Sequence, residues 1–198
     1  MRTKHRGLLG TGRAVVSHET AGPQPDRPGR AGSKTRPVMR AVRVKEFLDT
    51  NRIHYSSIVH PTAYTAQGTA AYAHIPGREM AKTVIVRADS QLAMAVLPAS
   101  SQLDLAGLKK LCRAKTISLA AEPEFELKFP DCDLGAMPPF GNLYGIPVYV
   151  DEFLTQDEEI AFNAGTHNEL VKMKYSDFER VVNPIVGRFT LSPIRNSA

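Results

Sequence analysis

Cysteine is scarce in this 198-residue chain: Cys112 and Cys132 stand far apart and no CxxC pair occurs. That excludes a disulfide framework and a zinc site of ordinary spacing, and it makes a reducing, cytoplasmic setting the expectation. Long apolar runs are missing too. Stretches such as Leu92–Pro98 fall far short of the roughly 18 residues that a membrane-spanning helix needs, so no membrane partner is expected. There is no P-loop, no GxSxG elbow and no HExxH, and the Gly10–Thr11–Gly12 pair lacks both a preceding strand and a following helix. The expectation is therefore a protein with no cofactor and no metal.

What is present fits a globular domain. Hydrophobic residues make up 42% and charged residues 23%, and the mean hydropathy is −0.23; a chain this long can bury a sizeable core. The net charge of +5 is unevenly spread. Nine basic side chains face two acidic ones (Glu19, Asp26) in residues 1–40, so the remainder carries −2. The basic excess thus belongs to a segment rich in Gly, Pro and Arg with little to bury, and composition of that kind predicts a disordered basic tail over 1–38. Two other readings of this segment stay open: an Arg-rich transit peptide, or a translated upstream stretch with Met39 as the biological start.

From Val42 the apolar spacing turns helical, with Val42, Val44, Phe47, Leu48 and Ile53 on one stripe. Tyr55–Val59 reads as a strand stopped by His60–Pro61, and Thr65 as the cap of an alanine-rich helix ending before Pro76–Gly77. Ala81–Arg87 and Gln91–Leu97 have hairpin spacing. Leucines 103, 105, 108 and 111 mark another helix, and Thr116–Ala120 another strand. After a Gly/Pro-rich loop over Asp131–Gly145, strands are expected at Ile146–Val150, Glu159–Asn163 and Glu169–Lys174. Ser176–Glu179 has the capping-box pattern of a last helix, halted at Asn183–Pro184. The sum is an α+β fold of six or seven strands and four or five helices.

Three features could carry chemistry. Lys82 starts a strand with apolar neighbours, so its ammonium can meet an anion at the edge of a dry surface; taken alone it reads better as a snorkelling lysine. In Gly135–Ala136–Met137–Pro138–Pro139–Phe140–Gly141 two prolines stiffen the backbone and flanking glycines permit close approach. Such a loop can aim N–H groups at a carbonyl oxygen, with donors from Gly135, Ala136, Met137, Phe140 or Gly141, since Pro138 and Pro139 have none; the plain alternative is a stiff surface turn. Gly165–Thr166–His167, between two strands, offers an imidazole that could orient a hydroxyl or carry a proton, or simply serve the structure.

In this order (AKTVIV, then GAMPPFG, then AGTHNELV followed by YSDF) the segments resemble the YbaK/prolyl-tRNA-synthetase-associated family of aminoacyl-tRNA deacylases, over about Val42 to Pro184. The resemblance implies a mixed, curved, mainly antiparallel β-sheet with packed helices, occupying residues 39–190 between the basic tail and a C-terminal tail over 191–198. It implies hydrolysis of the ester that holds a wrongly attached amino acid on tRNA, a small one such as alanine or cysteine on tRNA for proline. Its strand lysine falls on Lys82, its GxxxP loop on Gly135 through Pro139 and its GxH histidine on His167, with Gly165 and Thr166 beside the substrate. Thr83 and Leu134–Gly135 depart from the pattern of many relatives and bear on which amino acid fits. The implied partners are the acceptor end of aminoacyl-tRNA and the prolyl-tRNA synthetase, with Arg78, Lys109 and Lys110 as further candidate phosphate contacts. Two other functions are weighed: a non-catalytic tRNA- or synthetase-binding regulatory module of the same fold, and a general nucleic-acid binder driven by the tail.

Overall fold

The computed structural model describes residues 42–191; of the expected tails over 1–38 and 191–198, only Leu191 is described, and it belongs to a strand rather than to a tail. The described residues form α1 (Val42–Thr50), β1 (Tyr55–Val59), α2 (Ala66–Tyr72), β2 (Ala81–Ala88), β3 (Gln91–Pro98), β4 (Gln102–Leu103), α3 (Leu105–Cys112), β5 (Ile117–Leu119), α4 (Glu122–Phe125), β6 (Val148–Asp151), β7 (Glu159–Asn163), β8 (Glu169–Lys174), α5 (Tyr175–Val182), β9 (Ile185–Gly187) and β10 (Thr190–Leu191). This is the expected mixed α+β fold with mainly antiparallel pairing, although the strands divide among three sheets. The orders are β5-β2-β3-β6-β9, β1-β8-β7 and β10-β4, with only β3–β6 and β6–β9 parallel. The two larger sheets meet where Met80 and Ala161 form a parallel bridge and the Ala161 amide donates to the Glu79 carbonyl at 2.9 Å.

Each helix buries the stripe its sequence presents. Val44 and Leu48 of α1 and Phe178 and Val182 of α5 share one core with Met94, Val96, Val150 and Phe162. Leu108 of α3 packs with Val86, Ala93, Ala95 and Leu97, and Ala70 of α2 with Met80, Ala99, Ala161 and Leu170. Alternation along β2 follows from this: Ala81 and Ile85 enter the first core, whereas Met80 before the strand and Val86 within it face the others.

The helix ends obey local chemistry. Thr65 caps α2, its hydroxyl accepting from the Gly68 amide at 3.1 Å, and Asp104 caps α3 by accepting from the Ala106 amide at 2.9 Å. Removing such a cap costs about 1 kcal/mol, so Thr65→Ala is expected to lower the denaturant midpoint with the slope unchanged, as equilibrium urea unfolding would read. The capping box expected at Ser176 does not form: the cap position falls on Lys174, two residues earlier, and α5 begins at Tyr175. The Tyr175 amide already donates to the Glu158 carbonyl at 2.9 Å, so a tertiary hydrogen bond replaces the side-chain cap. Asn183 stops the helix in the left-handed region at φ 50°.

Candidate active site

Two of the three sequence features come together. The loop after Asp131 is pinned to the turn between β7 and β8, because the Asp133 amide donates to the Gly165 carbonyl at 2.8 Å. The His167 Nε2–H donates to the Leu134 carbonyl at 2.8 Å. Gly135, at φ +85°, lies so close that a Cβ there would stand 3.5 Å from His167 Cε1. The turn is itself anchored: the Ala63 amide donates to the His167 carbonyl at 3.0 Å, and the Tyr64 ring sits 5.0 Å from the imidazole. Since a carbonyl can only accept, the bond to Leu134 fixes the proton on Nε2 and turns His167 into a brace for the loop, with Nδ1 as its remaining polar atom.

The loop offers fewer donors than its sequence suggests. The Ala136 amide donates back to the Asp133 carbonyl at 3.0 Å and the Phe140 amide to the Pro138 carbonyl at 2.8 Å. Phe140 is a core residue, its ring 5.4 Å from Phe162 and 5.6 Å from Phe178. A Cβ on Gly141 would collide with Ile146 and Val148, so that glycine is needed for packing against the strand region rather than for a ligand. Pro138 and Pro139 are buried, as are Ala136 and Met137. Among the described residues, the amides of Gly135, Met137 and Gly141 are the candidate donors left without a partner, and Gly141 is packed against Ile146 and Val148. Thr166 is also committed, its hydroxyl donating to Asn168 Oδ1 at 2.8 Å, while Gly165 at φ +109° supplies the bend that brings His167 round.

Lys82 stands apart from this pair. Its ammonium donates to the Ser101 carbonyl at 2.6 Å and reaches the Ala99 carbonyl at 3.4 Å, and partial burial holds its pKa below the ordinary lysine value. The ammonium is thus held on backbone carbonyls rather than extended into water as in a snorkelling side chain. The connection to His167 runs through α2: the Gln67 side-chain Nε2 also reaches the Ala99 carbonyl, at 3.4 Å, and the segment just before α2 carries Tyr64 and Ala63. Tyr64 and Gln67 carry no spacing signal and were not legible as site residues. Arg78 is paired with Asp157 and Glu79, so it is a poor phosphate contact, and Lys109 and Lys110 are exposed in the last turn of α3.

The cysteines lie outside the constellation. Cys132 is buried against the Tyr144 hydroxyl at 3.2 Å, and burial pushes its thiol up to about 12; Cys112 is raised for the same reason. A thiol held protonated is a poor nucleophile. Cys132 is therefore expected to resist iodoacetamide at pH 8 in the folded protein and to react once urea unfolds it, as mass spectrometry would show. No group of three or more potential metal ligands occurs among the described residues, and no described helix is long and apolar enough to cross a membrane. A cavity of about 530 Å³ at the other end of the β2–β3 hairpin is lined by Arg87, Gln91, Glu124, Lys128, Gly145 and Pro147 and shares no residue with the constellation.

Known proteins bear on this geometry. The curated relative from Escherichia coli (strain K12), the multifunctional Ser/Thr-tRNA deacylase ProXp-y, is 33% identical over 101 residues, which cover 50% of this chain and 60% of that protein. A solved structure provisionally assigned as a trans-editing enzyme for prolyl-tRNA synthetase superposes with a TM-score of 0.69 at 20% identity, covering 77% of this chain and 97% of that one. Another, provisionally assigned as a signal transduction protein from Marinobacter aquaeolei VT8, superposes with a TM-score of 0.59 at 18% identity over 75% of this chain and 30% of that one. At those identities the two structures establish the shared fold. The pattern of the aminoacyl-tRNA editing domain matches residues 60–181, from His60 at the end of β1 to Val181 in α5, and the chain therefore belongs to the aminoacyl-tRNA editing domain family.

Proposed function

We propose that this chain is a trans-editing deacylase, hydrolysing the ester that joins a small, wrongly attached amino acid to the 3′ end of tRNA. The observation that supports this best is the brace between His167 and Leu134, which holds Gly135 in a left-handed turn and leaves the Gly135 and Met137 amides unpaired. An aminoacyl ester is already activated, so placement and charge stabilisation suffice. Paired amides aimed at the carbonyl oxygen would take the charge that develops as water attacks the carbonyl carbon, an effect of about 3–4 kcal/mol per well-placed donor. The ester C–O bond then breaks, the free amino acid leaves, and the ribose oxygen picks up a proton from solvent. Lys82 supplies the positive charge that the acceptor end's phosphate or terminal adenosine meets.

The amino acid is a separate question. The resemblance points to alanine or cysteine on tRNA for proline, and the E. coli relative is named for serine and threonine. A panel of alanyl-, cysteinyl-, seryl- and threonyl-tRNAs, each incubated with the protein and followed by acid-precipitable label, tests the reading. Release from at least one small aminoacyl-tRNA at a rate well above spontaneous hydrolysis is expected. Binding of these tRNAs without any release would contradict the deacylase reading and favour the regulatory module.

A further inference from the structure

Tyr64 is an aromatic ring that the fold leaves open beside the candidate site. It is 79% exposed, and its ring centre lies 5.0 Å from that of His167 at an interplanar angle of 55°. A single exposed ring on a protein surface is ordinary. This one stands on a fixed backbone. Its neighbour Ala63 is buried, with its amide donating to the His167 carbonyl at 3.0 Å and its carbonyl accepting from the Thr69 hydroxyl at 3.5 Å. On the other side Thr65 caps α2. The chain is anchored immediately before and after Tyr64, so only two side-chain torsions remain to place the ring.

The imidazole that Tyr64 touches is the brace of the Gly135 turn. His167 donates from Nε2 to the Leu134 carbonyl, and a Cβ on Gly135 would stand 3.5 Å from His167 Cε1, so the open ring and the turn contact the same imidazole. If the turn takes the aminoacyl carbonyl, what adjoins the ester on the substrate is the ribose and its base. Of the parts of an aminoacylated acceptor end (small side chain, ester, sugar, phosphate and base), the base alone offers a flat conjugated face to an aromatic ring. A phosphate gains nothing from a neutral ring.

We propose that Tyr64 is the stacking platform for the base of the esterified nucleotide, the terminal adenine. This rests on the deacylase reading. The ring's exposure is then the free state of a surface that substrate covers, reached from solvent without any movement of the fold. Stacking of this kind tolerates any base, because every base has a π-face. It supplies affinity and fixes where the ribose lies relative to the Gly135 turn, and it leaves the acceptor end's phosphate to Lys82.

The chain contains no tryptophan, so Tyr64→Trp puts a single indole at the platform while keeping a ring that can stack. Two non-hydrolysable probes are titrated into the full chain: adenosine carrying alanyl in amide linkage at the 3′ position, and the same sugar amide without its base. The indole emission is expected to be quenched by the adenosine probe and not by the baseless one. By calorimetry, Tyr64→Phe is expected to bind the adenosine probe within ~3-fold of the unaltered protein and Tyr64→Leu about 10-fold or more weakly, with the baseless probe bound equally by all three. An equal loss of both probes in Tyr64→Leu would show that the ring only supports His167, and an unchanged affinity for the adenosine probe would release the ring from substrate binding; either result overturns the platform and leaves the deacylase reading standing. An unaltered protein that binds neither probe would overturn both.

Discussion

Replacing Lys82 with alanine is expected to cut deacylation by about 100-fold or more, the scale seen when one charge-stabilising group is removed, while the protein stays folded. The ammonium is half-buried and bonded to two backbone carbonyls, Ser101 and Ala99, so its position is set before substrate arrives. Its burial also gives an independent physical signature. The pKa of Lys82 is lowered from 10.5 by desolvation, which means that between the lowered value and 10.5 the unfolded chain binds more protons than the folded one. Stability must then rise with pH across that window. Lys82→Met keeps the apolar stem and loses the ionisation, so its stability is expected to lack that rise when both proteins are unfolded in urea from neutral pH to pH 10.5. Single-turnover rates near those of the unaltered protein in either variant would remove Lys82 from the site.

Substituting alanine at Gly135 is expected to lower turnover by ~10–100-fold at a stability cost of about 1–2 kcal/mol, the penalty for a side chain in the left-handed region. The cause is the backbone. At φ +85° a Cβ would stand 3.5 Å from the imidazole, an ordinary contact, so nothing clashes; but relaxing φ would swing the Leu134 carbonyl away from His167 and turn the Gly135 amide. Gly145 provides the control, with φ +68° and nothing within 4 Å of its Cβ position. Gly145→Ala should cost similar stability and leave the rate unchanged. Comparing kcat for the two variants, with melting curves beside them, separates strain as such from strain at the catalytic turn. Equal rates in the two variants would place Gly135 outside the chemistry.

How much of this was legible beforehand varied with the kind of signal. Tyr55–Val59 and Glu169–Lys174 were readable because each element is long enough to show its period, and Thr65 because capping is local chemistry. β4, β9 and β10 span two or three residues, too short for any alternation to register; β9 forms on the open edge of β6, and β4 and β10 form by pairing with each other. The loop's glycines and prolines marked its stiffness correctly, yet which amides face inward depends on Asp133 and Pro138 carbonyls folding back on their own neighbours, and residue type is silent on that. Phe140 and Gly141 illustrate the same limit, since the place of Phe140 in the core follows from contacts with Phe162 and Phe178 far along the chain, and that of Gly141 from the way the chain turns back to set Ile146 and Val148 against it. The link between the Gly135 turn and His167 was an expectation from the order of motifs; what fixes it is the bond from Nε2 to the Leu134 carbonyl together with that from the Asp133 amide to the Gly165 carbonyl.

The central claim is that the aminoacyl end of tRNA is held between the Gly135 turn, His167 and Lys82. The most direct measurement is a crystal structure of the protein with a non-hydrolysable 3′-aminoacylamino-adenosine. The account predicts the aminoacyl carbonyl oxygen within hydrogen-bond distance of the Gly135 or Met137 amide, about 2.7–3.1 Å, with the Lys82 ammonium against the adenosine or its phosphate. An analogue seated instead in the groove between Arg87 and Lys128, leaving the Gly135 turn empty, would contradict it.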